Sequence, residues 1–247
     1  PRYSLFLSYK EGMEQLTRTI VSKSPGVRFR ISSPATKLQR SSRWEVVTQQ
    51  GDRFDADGVC LALPAQQAAR LLSGTAPSLS RDLAAIPYES VATVNLAYRR
   101  EDIPHALAGF GFVVPAFTKK KIVACSFSSV KFEGRAPGGM VLLRAFVGGA
   151  LHREVYALDD EAMVHTVQEE LRHYLGVERT PLFTHVSRYA ESMPQYQVGH
   201  LHHVASIRSK LAAFPGLYLA GNAYNGIGVP DCVKSAEHAA EAILKYL

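Results

Sequence analysis

The residues best suited to chemistry lie near the C-terminus, between positions 216 and 247. An apolar run at 217–220 predicts a short buried strand, and the residues after Gly228 predict a helix. Gly221, Gly226 and Gly228 lie between the two elements. Glycines in such a turn let a ligand approach the backbone, and unpaired N–H groups at a helix N-terminus favour anionic or electron-rich oxygens. The segment predicts either a ligand-binding turn or an ordinary strand-turn-helix that closes a domain.

Histidines and cysteines give weaker indications of chemistry. His200 and His203 would share one face of a helix, but no acidic or sulfur side chain lies at ligand spacing, so no metal site is predicted. Cys60, Cys125 and Cys232 are far apart and include no CxxC pair, which predicts free thiols and a reducing compartment. Because no G-x-S-x-G elbow is present either, no catalytic residue is assigned.

Composition and charge exclude several classes of protein. The 247 residues are 47% hydrophobic and 20% charged, which is typical of a folded chain. The net charge of +6 is scattered, and no zinc-finger spacing or recognition-helix pattern is present, so no nucleic-acid partner is predicted. No apolar stretch approaches the roughly twenty residues of a membrane-spanning helix. We expect a cytoplasmic protein, with peripheral contact at the anionic inner face of the plasma membrane left open.

The elements that would position the glycine turn alternate between helical and extended patterns. Before residue 81 the sequence predicts a helix at 8–21, strands at 27–31, 44–48 and 57–63, a hairpin turn at 49–52, a helix at 65–72 and a loop at 73–80. Further along, it predicts strands at 91–98, 111–114, 121–127 and 140–147, a helix from Asp159 to about 175, a strand at 183–189 and a helix at 199–211. The central strands suggest one sheet of about four or five strands, and Asp159 is predicted to cap the helix that follows it.

Four stretches resemble, in order, the protoporphyrinogen oxidase family of the amine-oxidase-like FAD superfamily. Residues 6–16 resemble its glycine-then-leucine helix start, although Glu11 stands where the first glycine is usual. Residues 33–64 are similar to its adenine-side unit, and 109–115 (GFGFVVP) to its strand over the substrate. The stretch from 190 to the end is the most specific, because MPQYQVGH is followed by GNAYNGIGVPDC.

The resemblance implies a fold class and a domain organisation. We expect an α/β (mixed α+β) chain that forms the C-terminal part of a two-domain FAD-linked flavoenzyme. Residues 1–75 would belong to the FAD-binding domain, 76–198 to a substrate-binding domain with a mixed sheet, and 199–247 to the flavin-contacting strand-loop-helix. No GxGxxG fingerprint follows a strand, and the chain starts at Pro1 without a methionine. We therefore expect an N-terminal FAD-binding half as partner, and an isolated chain that neither retains FAD nor is active.

The resemblance also implies site residues. The predicted cofactor-binding residues are Ala35, Gly221, Asn222, Gly226, Gly228, Val229, Pro230 and Asp231. The predicted substrate-binding residues are Phe110, Gly111, Val113 and Phe146. Asp231 could equally be a helix cap. Gly111 is the most suggestive substrate residue, since glycine within a strand often marks the close approach of a ligand.

The activity implied by the resemblance is that of an FAD-dependent oxidoreductase of haem biosynthesis. It would oxidise protoporphyrinogen IX to protoporphyrin IX with molecular oxygen as acceptor. A coproporphyrinogen III oxidase of the same fold is one alternative. A non-catalytic fragment that binds a porphyrin or a partner is another, favoured by the missing fingerprint. A homodimer is left open.

Overall fold

Four segments of the chain alternate between two structural units in the computed structural model, which describes residues 6–247. The central unit comprises the described residues up to Phe29 together with Glu89–Met193, and the flanking unit comprises Arg30–Tyr88 and Pro194–Leu247. The helices are α1 (Glu14–Ser22), α2 (Ala65–Leu72), α3 (Pro77–Ala84), α4 (Ser128–Lys131), α5 (Arg153–Tyr156), α6 (Asp160–Leu175), α7 (His200–Leu211) and α8 (Val229–Tyr246). The strands are β1 (Ala35–Arg40), β2 (Trp44–Thr48), β3 (Arg53–Ala56), β4 (Val59–Leu61), β5 (Tyr88–Arg99), β6 (Gly111–Val113), β7 (Ala124–Phe127), β8 (Met140–Gly148), β9 (Phe183–Pro194) and β10 (Leu217–Leu219). The mixed helix-and-sheet class expected from the sequence is confirmed.

The central unit is built on a five-stranded sheet with the order β6-β7-β8-β5-β9. One face of the sheet is buried, and Val94, Leu96 and Leu143 point into the core that this face forms with α6. Because side chains alternate along a strand, the residues between them lie on the opposite face. Phe146 lies opposite Thr93 in the antiparallel pairing of β8 with β5. The expectation of a four- or five-stranded sheet is confirmed.

Helix α6 is the longest helix of the central unit and is defined at both ends. The Asp159 carboxylate accepts the N–H of Ala162 at 2.8 Å, so the predicted cap is confirmed. Gly176 ends the helix in the left-handed conformation with φ 68°. The helix buries Met163, Val167 and Leu171, which recur at helical spacing.

The flanking unit contains two small sheets, the antiparallel β1-β2-β3 and the parallel pair β10-β4. Trp44 is 1% exposed, and its indole N–H donates to the carbonyl oxygen of Pro215 at 3.0 Å. This bond ties the first segment of the unit to the second, 171 residues away. Helices α2, α3 and α7 contribute Leu72, Leu79 and Ile207 to the same core.

Two predicted elements are wrong. No strand forms at 27–31, because Val27, Phe29 and Ile31 are exposed and none of them pairs with a strand within residues 6–247. The predicted loop at 73–80 instead contains the start of α3, since Pro77 occupies a first-turn position that needs no N–H donor.

Several boundaries also differ from the prediction. The helix predicted at 8–21 begins only at Glu14. The two units divide between Tyr88 and Glu89, because α3 packs on α2 and shares its core. The assignment of the units to FAD-binding and substrate-binding domains stays a prediction. No helix within residues 6–247 has the length and apolar character needed to cross a bilayer.

Candidate functional site

The predicted ligand-binding turn connects β10 to α8 in the flanking unit. Strands β10 and β4 run parallel, so the turn follows the carboxyl ends of both strands, where open α/β sheets bind their ligands. Gly221 and Gly226 have φ angles of 129° and 138°, a backbone region that is open to glycine and strained for other residues. The N–H of Gly221 donates to the Ser235 hydroxyl at 3.1 Å, which ties the start of the turn to α8.

Seven of the eight predicted cofactor-binding residues lie in this one continuous segment. They are Gly221, Asn222, Gly226, Gly228, Val229, Pro230 and Asp231. Ala35 does not lie there, since it opens β1, is exposed and pairs with Thr48. A contact of these residues with a cofactor stays a prediction.

Asp231 holds the N-terminal end of α8. Its carboxylate accepts the N–H of Gly228 at 3.1 Å, so the capping interpretation of this residue describes an observed contact. A Cβ at Gly226 would approach the Asp231 carboxyl carbon to 2.5 Å. Glycine at 226 is therefore required both by its positive φ and by the packing of Asp231 against it.

Tyr196 contacts the same turn from the MPQYQVGH segment. Its hydroxyl donates to the carbonyl oxygen of Asn222 and accepts the N–H of Gly226. Its ring stacks on the ring of His200. The sequence gives Tyr196 no predicted role beyond its place in this motif, because the groups it contacts are 26 and 30 residues away.

The predicted substrate-binding residues lie together in the central unit. Phe110, Gly111, Val113 and Phe146 all line one groove of about 340 Å³. Val113 is 77% exposed, and Phe110 and Phe146 are 45% and 38% exposed. The Phe6 ring meets Phe110 edge-on at 5.3 Å between centroids. The groove is thus an open aromatic surface and not part of the core.

The packing of the sheet explains why position 111 is a glycine, which the sequence alone did not reveal. A Cβ at this position would overlap the carbonyl oxygen of Cys125 on β7, and the residue has φ 140°. Close approach of a neighbouring strand therefore requires glycine at 111, whatever binds in the groove. The substrate contact proposed for Gly111 stays a prediction.

One cationic side chain lines the groove, and a second lies on the same face of the sheet as Phe146. Neither is predicted as a site residue from the sequence. Lys131 lines it, with Nζ 3.7 Å from the centroid of the Phe6 ring. Arg144 lies two residues before Phe146 on β8, and therefore on the same exposed face of the sheet. The two-residue period along β8 is the signal that could have identified Arg144.

Arg144 is held in place by a buried amide. Its Nε donates to Oδ1 of Asn95 at 2.8 Å, and Asn95 is 8% exposed and bonded through Nδ2 to the carbonyl oxygen of His185 at 3.4 Å. Within residues 6–247 the two terminal nitrogens of Arg144 make no hydrogen bond. An arginine held through Nε can present both terminal nitrogens to a carboxylate.

In the described part of the chain, the cysteines and histidines form no disulfide bond and no metal-binding cluster. All three cysteines are free, and burial raises the pKa of Cys125 to about 12, which keeps its thiol protonated. His203 uses Nε2 on the backbone carbonyl oxygen of Asp82 at 2.8 Å. Residues 6–247 bring together no group of three His, Cys, Asp or Glu side chains that could hold a metal ion.

Known proteins match this fold over its whole length. A family model described as flavin containing amine oxidoreductase matches residues 2–244. Coproporphyrinogen III oxidase of Bacillus subtilis (strain 168) is 33% identical over 98% of this chain and 52% of its own length. Protoporphyrinogen oxidase of Macaca fascicularis is 32% identical over 96% of this chain and 51% of its own. A crystal structure from Exiguobacterium sp. 255-15, provisionally described as a protoporphyrinogen oxidase, has a TM-score of 0.88 at 31% identity, covering 100% of this chain and 54% of that one.

The fold and the glycine turn place the chain among mixed α/β proteins that carry a glycine-rich turn after a parallel strand pair. The chain belongs to the flavin-containing amine oxidoreductase family. It spans about half the length of the curated relatives it matches. FAD is the cofactor that the family implies for the full-length protein.

The turn has the properties that a flavin requires. Ile227 and Val229 are 53% and 50% exposed, so an apolar ring would find apolar contacts there. The N-terminal end of the 18-residue helix α8 lies beside them, where Pro230 lacks an N–H and the Asp231 carboxylate offsets part of the helix dipole. The residues present therefore fit the isoalloxazine end of FAD.

Proposed function

We propose that this chain is the C-terminal, substrate-side part of an FAD-dependent porphyrinogen oxidase. The observation that carries the proposal is the groove of the central unit, which gathers Phe110, Gly111, Val113 and Phe146. An apolar, aromatic-walled surface suits a large flat tetrapyrrole, which needs few polar partners. The names of the two curated relatives given above support the same class of substrate.

The residues of this chain would bind and orient while the cofactor accepts electrons. FAD, when bound, supplies the acceptor for hydride. The glycine turn from Gly221 to Gly228, with Asn222 and Asp231, would let the flavin approach the backbone closely. The dipole of α8 would favour negative charge on it, and the Asp231 carboxylate at the same helix end would oppose that effect. The groove would hold the porphyrinogen flat, and no general base is assigned within the chain.

The first candidate substrate is protoporphyrinogen IX, with molecular oxygen as the electron acceptor. Coproporphyrinogen III is the second candidate, and Arg144 favours it. This substrate carries more carboxylates than protoporphyrinogen, and Arg144 places a held guanidinium on the sheet face that carries Phe146. Identities of 33% and 32% to relatives of the two kinds do not separate the substrates.

Turnover of both porphyrinogens by the full-length protein loaded with FAD tests the proposal. We expect porphyrin fluorescence to appear with at least one of them. If Arg144 recognises a carboxylate, Arg144→Met should raise KM for coproporphyrinogen about tenfold or more, with a smaller effect on kcat, since an ion pair of this kind contributes about 1.5–3 kcal/mol.

Arg99→Met is the matched control, because Arg99 is an exposed arginine of the same unit that pairs weakly with Glu101 at 3.7 Å. It should leave both KM values unchanged. Wild-type protein that binds FAD but oxidises neither porphyrinogen would contradict the proposed function. Equal KM values for wild type and Arg144→Met would remove only the preference for coproporphyrinogen.

A non-catalytic role is the remaining alternative, in which this chain binds a porphyrin or a partner without redox chemistry. Quenching of porphyrin fluorescence by the chain, without turnover when the N-terminal half is added, would favour it. On the oxidase proposal, the chain alone retains no flavin absorbance and gains activity only with that half. We further propose a cytoplasmic location. This location is compatible with contact at the inner face of the plasma membrane and with a homodimer.

A further inference from the structure

Tyr196 closes the β10–α8 turn with a single oxygen atom. The hydroxyl donates to the carbonyl oxygen of Asn222 at 2.6 Å and accepts the N–H of Gly226 at 2.8 Å. These two backbone groups lie 26 and 30 residues after Tyr196 in the sequence. One side chain thus fixes the spacing between two points of the turn.

The hydroxyl can make both bonds because it stays protonated. Partial burial raises the pKa of Tyr196, with Asp231 and Cys232 adding to the effect. A neutral phenol has one O–H to donate and lone pairs to accept with, whereas a phenolate could not donate to the Asn222 carbonyl. The two bonds are therefore compatible at neutral pH.

The ring of His200 fixes the position of the tyrosine ring. The two rings are nearly parallel, at 13°, with centroids 4.0 Å apart. His200 is 9% exposed, and its Nε2 is buried without a hydrogen-bond partner among residues 6–247. Since that nitrogen is unused, the side chain acts here through the face of its ring. His200 opens α7, whose other buried residues, Val204 and Ile207, lie in the core, so the support is rigid.

The turn is held from its other side by α8. Asp231 bonds to the N–H of Gly228 and packs directly against Gly226. Gly226 thus lies between the Tyr196 hydroxyl and the Asp231 carboxyl. Removing the hydroxyl would leave the helix side intact and free only the side that faces the MPQYQVGH segment.

We propose that Tyr196 is a positioning residue, which, supported by the His200 ring, holds residues 222–226 in one conformation before the cofactor binds. The role of this conformation in holding a flavin rests on the proposed function. The ordering of the turn does not, because it follows from contacts within the chain. Preorganised groups bind more tightly than groups that must be ordered on binding.

Hydrogen–deuterium exchange on the 247-residue chain tests the ordering. Tyr196→Phe keeps the stacked ring and removes only the oxygen. We expect exchange at 222–228 to accelerate about tenfold, as for a segment that loses a local restraint. Tyr189→Phe is the control, because Tyr189 is similarly exposed, at 48%, and lies in the central unit. It should leave exchange at 222–228 unchanged.

His200 supplies a second pair of variants. His200→Ala removes the supporting ring and should accelerate exchange at 222–228, while His200→Phe restores a ring and should return exchange to within about twofold of wild type. Unchanged exchange in Tyr196→Phe overturns the proposal. So does an equal effect of His200→Ala and His200→Phe, since the ring would then give no support.

Flavin binding by the full-length protein tests the consequence. Tyr196→Phe should raise the Kd for FAD about tenfold and broaden the visible flavin absorption band. Tyr189→Phe should match wild type in both measurements. Equal FAD affinity and equal spectra in Tyr196→Phe and wild type overturn the role of the turn in cofactor binding. If the wild-type full-length protein binds no FAD, the proposed function is overturned instead. The exchange measurement on the 247-residue chain still decides whether Tyr196 orders residues 222–226.

Discussion

At the scale of single residues, the candidate turn depends on Gly226. Replacing it with alanine would put a Cβ against Asp231 and force a non-glycine residue to φ 138°. We expect Gly226→Ala to lower the free energy of unfolding of the flanking unit by about 1–3 kcal/mol, the usual cost of such a backbone conformation. Urea unfolding followed by the fluorescence of Trp44 measures this, because Trp44 is the single tryptophan and lies in that unit.

Gly51→Ala measures the cost of a positive φ at a position without a side-chain contact. Gly51 also has a positive φ, 89°, but a Cβ there would meet nothing within 4 Å. The loss of stability in Gly51→Ala should therefore be the smaller of the two. An equal loss in both variants would show that the contact with Asp231 contributes nothing.

The sequence predicts which residues form the candidate turn better than it predicts their contacts. Glycine spacing and resemblance were enough to select Gly221, Gly226 and Gly228, since conformational freedom is a property of the residue itself. The hydroxyl of Tyr196 and the amide of Asn95 could not be selected in this way. Their roles depend on partners 26 to 90 residues away, which only the folded chain brings close.

At the scale of elements, an ion pair joins α3 to α7. Lys210 Nζ lies 2.7 Å from Oδ2 of Asp82, and the hydrogen bond from Lys210 holds the pKa of Asp82 below its ordinary value of 3.8. Because the folded pKa is lowered, the pair stabilises the fold above pH 3.8, and this contribution is lost as the pH falls through the folded pKa. We expect Asp82→Asn to reduce the free energy of unfolding at neutral pH by at most about 1 kcal/mol. Trp44 fluorescence during urea unfolding measures it.

The pH dependence distinguishes the pair from a general effect of the substitution. Once the pH is below the lowered folded pKa of Asp82, Asp82→Asn and wild type should converge in stability, because the carboxyl is then protonated in both states. Asp55→Asn, at an exposed carboxylate of β3, is the control substitution and should be as stable as wild type at neutral pH. A deficit of Asp82→Asn that persists in acid would contradict the ion-pair explanation.

The elements that the sequence predicted well carry their signal locally. Helix α6 has an N-cap, helical spacing of apolar residues and a C-terminal glycine within one segment, so Asp159 and Gly176 mark it without reference to the rest of the chain. Helix α3 was missed because Pro77 and the serines around it also suit a loop. Residues 27–31 have strand-like composition, but a strand needs a partner, and the described residues offer none at that point.

At the scale of the whole molecule, each unit has a hydrophobic core of its own. Leu143 belongs to the core of the central unit and Leu72 to that of the flanking unit, and both are fully buried. The flanking unit is assembled from two distant segments, joined by the β4–β10 pairing and by the bond from Trp44 to Pro215. Its stability should therefore be shared between residues 30–88 and 194–247, although the whole central block separates them in sequence.

Leu72→Ala and Leu143→Ala test whether the units respond separately. Each substitution leaves a cavity and should cost about 2–5 kcal/mol. In hydrogen–deuterium exchange, we expect Leu72→Ala to raise exchange in 30–88 and 194–247 together, with little change in 89–193, because cooperative units open as wholes. Leu143→Ala is the reciprocal control and should raise exchange in 89–193. If Leu72→Ala raises exchange in 30–88 alone, the two segments do not form one cooperative unit, and the C-terminal strand-turn-helix that carries the candidate flavin site folds independently of the segment that pairs with it.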